Sequence, residues 1–276
     1  MKNIIRHTPY KNIQVIGRND IFIKLECEQF GKSFKSRGIF NFLQHAENLN
    51  GVVTFTTGNH GIALAAIAEK LGIKAIIVSS KNLTIYKRKL IESFGATIQF
   101  VDSYSLDEAT SFAKKVADEM NFTFVPLFGN EHLLNGYSQI TQEICNDFTG
   151  NLTMYFPIGS GSLLLANARL AKKININNQI NGVEPFIYQR LNKVKEHNNP
   201  SLSMADCLSI DRIPICNQEL LRYTDNIDII NEDDIRKATK LIYDHFNIMT
   251  EPGGAITLAA AYPLHQPHQL IFSNAA

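Results

Sequence analysis

An α/β fold with an open, parallel sheet covered by helices on both faces is what this 276-residue sequence predicts. Three observations carry that expectation. Short apolar, β-branched runs take turns with helix-type runs along almost the whole chain, and each parallel strand pair needs a crossover, usually a helix. Glycine- and hydroxyl-rich stretches follow several of the apolar runs and lead straight into helix patterns. The 45% hydrophobic content in a chain of this length is enough for a large core and for two lobes.

In order, residues 21–25 (Ile-Phe-Ile-Lys-Leu) read as a strand and 39–47 as a helix. The β-branched run 51–55 (Gly-Val-Val-Thr-Phe) is a strand, followed by the Ala-rich helix 61–71 and the strand 75–78. Helix 85–94, strand 97–101 and the long helix 106–120 continue the alternation. The later half repeats it with strand 152–156, helix 163–172, strand 180–183, helix 233–246 and strand 270–272. Between Asn198 and Asn226, where Pro200 and Pro214 fall, the pattern weakens into an irregular surface excursion.

Composition excludes some partners. The formal net charge of +1, with no broad Lys/Arg cluster, gives no reason to expect nucleic acid or an anionic membrane. Cys27, Cys145, Cys207 and Cys216 show no CxxC and no metal-ligand spacing with histidines, so they read as free thiols in a reducing compartment. The opening residues lack a signal-peptide core and no apolar run reaches the ~20 residues of a membrane helix. A cytoplasmic location is the expectation.

Chemistry concentrates in four places. In Gly31-Lys32-Ser33-Phe34-Lys35-Ser36-Arg37-Gly38, Lys35 sits between two serines where a helix is expected to begin. The helix dipole and the Arg37 charge both favour its free amine, and a partly neutral lysine can condense with an aldehyde. A capping turn with solvated cations is the plainer alternative. Thr56-Thr57-Gly58-Asn59-His60-Gly61 follows the strand 51–55 and offers a helix N-terminus for a carboxylate, or a helix merely capped by Thr57 or Asn59.

Pro157-Ile158-Gly159-Ser160-Gly161-Ser162-Leu163 opens another helix with small residues and two hydroxyls, which suits a phosphate or is simply a tight turn. It matches neither the Walker loop nor the G-x-G-x-x-G fingerprint. Near the C-terminus, Glu251-Pro252-Gly253-Gly254-Ala255 begins an Ala-rich helix, where Glu251 can serve only as a favourable charge. Ser273 ends the last strand, within reach of a ring nitrogen or with no role beyond the strand's end.

Taken together with Thr8-Pro9, Leu25-Glu26 and Gly182-Val183-Glu184-Pro185, these motifs stand in the order and at about the spacing of the pyridoxal-phosphate enzymes of fold type II. The chain resembles their threonine/serine dehydratase and serine racemase family over nearly its whole length. The resemblance implies two open, mainly parallel sheets flanked by helices, tryptophan synthase β-like. A small lobe, residues 51–136, is inserted in a large cofactor-binding lobe made of 1–50 and 137–276, with no C-terminal regulatory domain. It also implies pyridoxal 5'-phosphate as cofactor, a homodimer, and α,β-elimination on a β-hydroxy amino acid such as L-threonine or L-serine, giving a 2-oxo acid and ammonia.

Carried over residue by residue, the resemblance makes Lys35 the lysine bonded to the cofactor and the base that takes the substrate Cα proton. Phe34 lies beside the ring, Asn59 on its phenolic oxygen, Gly159, Ser160, Gly161, Ser162 and Leu163 around the phosphate, and Ser273 on the pyridine nitrogen. Glu251 joins the cofactor-binding set. Thr56, Thr57, Gly58, Asn59 and His60 hold the substrate carboxylate, and Thr57 stands where racemases carry a serine acid on the face opposite the lysine.

Besides Thr57, three departures from the family pattern are visible. Ser160 and Ser162 replace glycines of the phosphate loop, and the family's Ser-Gly-Gly-Asn is here Ser273-Asn274-Ala275-Ala276. Six positions after Glu184, where cation-binding relatives have an acidic residue, stands Arg190; a guanidinium cannot ligate a cation, so no metal is expected there. His60 is not such a departure: it stands where the β-replacement enzymes of the same fold carry threonine, and so argues against that reading. An amino-acid racemase, a β-replacement enzyme and a catalytically decayed relative that still binds the cofactor are the alternatives.

Overall fold

The computed structural model describes residues 4–14, 20–102, 105–191, 203–209, 213–215, 217–261 and 270–274, the last stretch as backbone only. The elements run β1 (Tyr10–Asn12), β2 (Ile21–Leu25), α1 (Lys35–Gln44), β3 (Gly51–Phe55), α2 (Asn59–Leu71), β4 (Lys74–Ser80), α3 (Ile85–Ser93) and β5 (Thr97–Val101). They continue with α4 (Leu106–Met120), β6 (Thr123–Phe124), α5 (Glu131–Tyr137), α6 (Gln139–Asp147), β7 (Thr153–Pro157), α7 (Ser162–Ile174) and β8 (Gln179–Pro185). The last are α8 (Asn217–Tyr223), β9 (Asn226–Ile230), α9 (Glu232–Phe246), α10 (Pro252–Ala261) and β10 (Leu270–Asn274). The α/β class with parallel sheets flanked by helices is the one the alternating pattern predicts.

The chain divides into two compact units: Gln29–Gly136 joined by residues 4–6, and the described parts of His7–Glu28 and Tyr137–Ala276. Residues 29–50 therefore group with the unit that carries β3 to β6, whereas the resemblance assigns them to the larger lobe. The reason is close packing at the start of α1. A Cβ on Gly31 would stand 2.9 Å from Ala63 Cα of α2, so the turn before α1 presses directly on that helix. Gly31 keeps this approach possible at a φ of +81°.

The first unit holds a four-stranded sheet in the order β5-β4-β3-β6, with every pair parallel. Chain order runs outward from β3 through β4 to β5, then returns to the other side of β3 as β6. Ligands of open α/β sheets bind at such a reversal, beyond the carboxyl ends of the strands. The loop after β3 is the Thr56-to-Gly58 turn. Beneath it, Val53, Phe55 and Val78 pack against Ala109, Ala113, Val116 and Ala117 of α4.

The second unit holds a six-stranded sheet in the order β1-β2-β10-β7-β8-β9. All pairs are parallel except β1 with β2. Here β7 is the point of reversal, with β8 on one side and β10 on the other. The loop after β7, Ile158 to Gly161, thus starts beside the carboxyl end of β10, since Phe272 is in register with Tyr155. Lys24 of β2 is wholly buried; its ammonium bonds the Glu143 carboxylate at 2.6 Å and the Thr8 carbonyl at 2.7 Å. A buried charge needs that pairing.

The 198–226 excursion differs from expectation in part. Ala205, Leu208, Ile215 and Leu220 are buried, and Ala205 and Leu208 belong to the core under α9 and α10. A glycine pattern elsewhere explains this: Cys207 and Leu208 fill the space that Gly159 and Gly253 leave open. Cys27, Cys145 and Cys207 are free thiols, and Cys216 lies outside the described residues. No helix among the described residues is long and apolar enough to cross a membrane.

Candidate active site

Helix starts separate into two kinds. Thr84, Ser105 and Asn231 accept a hydrogen bond from a first-turn amide of α3, α4 and α9. The helices that follow the three glycine- and lysine-bearing motifs, α1, α2 and α7, have no side-chain cap and no acidic residue in the first turn. Their first-turn amides, which no helix can satisfy internally, give each of these termini the partial positive charge that binds anions.

In the first unit, Lys35 is the first residue of α1 and half-buried, its ammonium 4.8 Å from the centre of the Phe34 ring. Ser36 donates to the Phe30 carbonyl and Arg37 is completely buried, so the helix begins four residues before the predicted start and carries Lys35 in its first turn. The Ser33 hydroxyl is buried with no partner among the described residues.

Gly58 is the N-cap of α2, so neither Thr57 nor Asn59 caps the helix with its side chain. The buried Thr56 hydroxyl accepts from the Gly58 amide at 3.1 Å and fixes the turn, whereas Thr57 is exposed. Gly61 is required: a Cβ there would meet Thr56 Cγ2 at 2.7 Å.

His60 is 2% exposed, and neither ring nitrogen has a hydrogen-bond partner among the described residues. Burial, and next the positive charge of Lys35, hold its pKa well below the ordinary histidine value. The imidazole is therefore neutral, with one donor and one acceptor nitrogen. Phe34, Lys35 and the Thr56-to-His60 turn are all in this unit.

The second unit carries Gly159, Ser160, Gly161, Ser162, Leu163, Glu251 and Ser273. Gly161 caps α7 at a φ of +84°, where a Cβ would also touch Leu220 at 3.0 Å. The Ser160 and Ser162 hydroxyls are 3.0 Å apart. An uncapped helix start, a glycine in the left-handed region and two adjacent hydroxyls are the kind of donor set a phosphate group needs. Glu251 precedes Pro252, and its carbonyl accepts from Gly254 and Ala255 to start α10. Ser273 lies on β10 opposite Lys24 in the register; its side chain is outside what is described.

Two features of this unit were not foreseen in the sequence. Asp206, Cys207 and Glu251 each bring a ligand atom within 4.8 Å of one another. No spacing rule signals that group, because Glu251 is far along the chain from the other two. The second is how Arg190 is used. Its side chain reaches the buried Glu184 carboxylate at 3.2 Å and the carbonyls of Ile158 and Gly159. Burial raises the Glu184 pKa, and Arg190 with the Leu191 amide pulls it back.

The chain has relatives with known names. The chain is 28% identical to a biosynthetic L-threonine dehydratase of Pasteurella multocida over 97% of its own length and 54% of that protein. It is 31% identical to a serine racemase of Oryza sativa, covering 91% of this chain and 76% of that one. A catabolic L-threonine dehydratase of Staphylococcus aureus is 27% identical, with 94% and 79% covered. The chain thus spans about half the length of the first relative and about three quarters of the other two.

Among solved structures, maize serine racemase superimposes with a TM-score of 0.87 at 24% identity, covering 99% of this chain and 88% of that one. The processed form of threonine deaminase isoform 2 from Solanum lycopersicum does so at 0.86 and 23%, covering 99% and 84%. These two likenesses speak for the fold. Residues 1–270 match the family described as "Pyridoxal-phosphate dependent enzyme". That match spans nearly the whole chain, and this chain belongs to the pyridoxal-phosphate dependent enzymes.

Proposed function

We propose that this chain is a deaminating dehydratase that converts a β-hydroxy amino acid such as L-threonine or L-serine into a 2-oxo acid and ammonia. The observation that carries the proposal is Lys35 opening α1 with the buried, neutral His60, which has no hydrogen-bond partner among the described residues, within reach of its charge. The relatives named threonine dehydratase and serine racemase support it.

Pyridoxal phosphate supplies an aldehyde for the substrate amine and a ring that takes up the electrons left when Cα loses its proton. In this reading Lys35 is the residue that would hold the cofactor aldehyde through its amine and would take the Cα proton. The amides that begin α2, with Thr56, Thr57, Asn59 and the neutral His60, would hold the substrate carboxylate by hydrogen bonds. Gly159 to Leu163 would hold the phosphate, and Phe34, Asn59 and Glu251 are the other residues that would contact the cofactor. Ser273 is a neutral residue; as the partner of the ring nitrogen it would disfavour long-lived carbanions and so favour loss of the β-hydroxyl. Hydrolysis of the released enamine then gives the 2-oxo acid and ammonia.

A second reading, an amino-acid racemase, is favoured by the exposed Thr57 hydroxyl, a group able to return a proton to the other face. We also infer a cytoplasmic homodimer, checked by light scattering and cell fractionation. The deciding experiment compares absorption spectra of the purified protein and Lys35→Ala, before and after L-serine or L-threonine. A visible band that depends on Lys35, with release of ammonia and 2-oxo acid, is expected. A band with D-amino acid as the sole product overturns elimination, and a band with no turnover overturns activity.

A further inference from the structure

We infer that Arg190 is a positioning residue that sets the phosphate loop, turning the amides of Gly159 and Ser160 toward the cofactor phosphate. The inference rests on the reading of Gly159 to Leu163 as the phosphate site. Its basis is a set of bonds inside one unit. Arg190 Nε and its backbone amide donate to Glu184 Oε1 at 3.2 and 3.3 Å, and the Leu191 amide donates to Oε2 at 3.2 Å. The two ends of the same guanidinium donate to the Ile158 carbonyl at 2.5 Å and the Gly159 carbonyl at 3.3 Å. Glu184 is wholly buried at the end of β8, so the arginine is anchored on a rigid strand and reaches across to the loop after the adjacent β7.

The consequence follows from peptide geometry. In a planar trans peptide the C=O and the next N–H point in opposite directions. Holding the Ile158 carbonyl on the guanidinium sends the Gly159 N–H away from it; holding the Gly159 carbonyl does the same for the Ser160 N–H. Two consecutive donors are thereby fixed on the side opposite Arg190, next to the serine hydroxyls and the start of α7. The Ile158 amide takes no part, since it donates to Val183 at 2.9 Å. Only a planar fork can hold a carboxylate and two carbonyls at once; an ammonium keeps the charge but lacks the spread.

The test uses the full chain stripped of cofactor, titrated with pyridoxal phosphate and with pyridoxal, which lacks the phosphate. Arg190→Lys is compared with wild type, and the pair Arg190→Met/Glu184→Gln serves as a second variant that leaves no uncompensated buried charge. Both variants are expected to lose about tenfold or more in affinity for pyridoxal phosphate, the equivalent of one or two misdirected hydrogen bonds. Pyridoxal affinity is expected to stay unchanged, and the ³¹P resonance of the bound phosphate to shift.

Equal losses for both compounds, with a lowered melting temperature, overturn the inference in favour of a purely structural ion pair. Wild-type affinity and an unmoved ³¹P resonance in both variants overturn it as well. Wild type that binds both compounds equally well removes the phosphate-loop reading itself, an outcome separate from the other two.

Discussion

The positive charge of Lys35 falls on the buried imidazole of His60, and with burial it keeps that ring uncharged. The unfolded chain has no such constraint, so near and below pH 6.5 the unfolded state binds one more proton at this residue than the folded state. Stability from this source is present above the ordinary histidine pKa and is lost as pH falls below it, by up to about 1.4 kcal/mol per pH unit. The urea midpoint of wild type is therefore expected to fall more between pH 7.5 and 5.5 than that of His60→Gln. Equal slopes would show that His60 does not carry the effect.

Gly161→Ala places a methyl group in the left-handed region and against Leu220. The strain costs about 1–2 kcal/mol. Chemical denaturation of the apoprotein should read that loss, and cofactor titration should show weaker binding, because α7 begins at this residue.

At Gly136 the neighbour is backbone. A Cβ would stand 2.4 Å from the Arg37 carbonyl oxygen and 2.5 Å from Gly38 Cα, so α1 must shift to admit it. Gly136→Ala is expected to cost about 1–3 kcal/mol and to lower the visible cofactor band, since the helix that moves is the one that begins with Lys35.

Adjacent threonines should behave differently. Thr56→Val leaves the Gly58 amide without its acceptor, a loss of about 1 kcal/mol in stability with a higher KM. Thr57 is exposed, so Thr57→Ala should leave the melting temperature unchanged while reducing exchange of the Cα proton into D-amino acid. Product chirality together with thermal melts distinguishes the two.

Glu184 is already engaged by Arg190 and two backbone amides. Dialysis against a chelator is expected to leave the cofactor band and the rate of ammonia release unchanged. Loss of either, restored by a divalent cation, would mean that an ion acts where the guanidinium is thought to suffice.

Much of this was legible in the sequence because the signals are local. The strand Gly51–Phe55 and the helix Leu106–Met120 have the predicted bounds, as a β-branched run and a capped amphipathic repeat each carry their own period. Short elements such as β1, β6 and α8 were not, for two to seven residues repeat a period too few times to show it and owe their form to neighbours. The same limit applies at the site. Lys35 and the glycine turns announce themselves by residue type, whereas the bonds of Arg190 to Ile158 and Gly159, and the approach of Cys207 to Gly253, depend on packing across distant stretches of chain.

The order of strands in the six-stranded sheet bears on how the chain is made. β10 lies between β2 and β7, pairing Leu270 with Ile21 and with Thr153. As the chain leaves the ribosome, the strands of the four-stranded sheet, all drawn from residues 51–124, are available early and together. The six-stranded sheet must wait with two facing edges open until its middle strand is synthesised. Those edges are the part of the nascent protein most in need of protection from pairing with another chain.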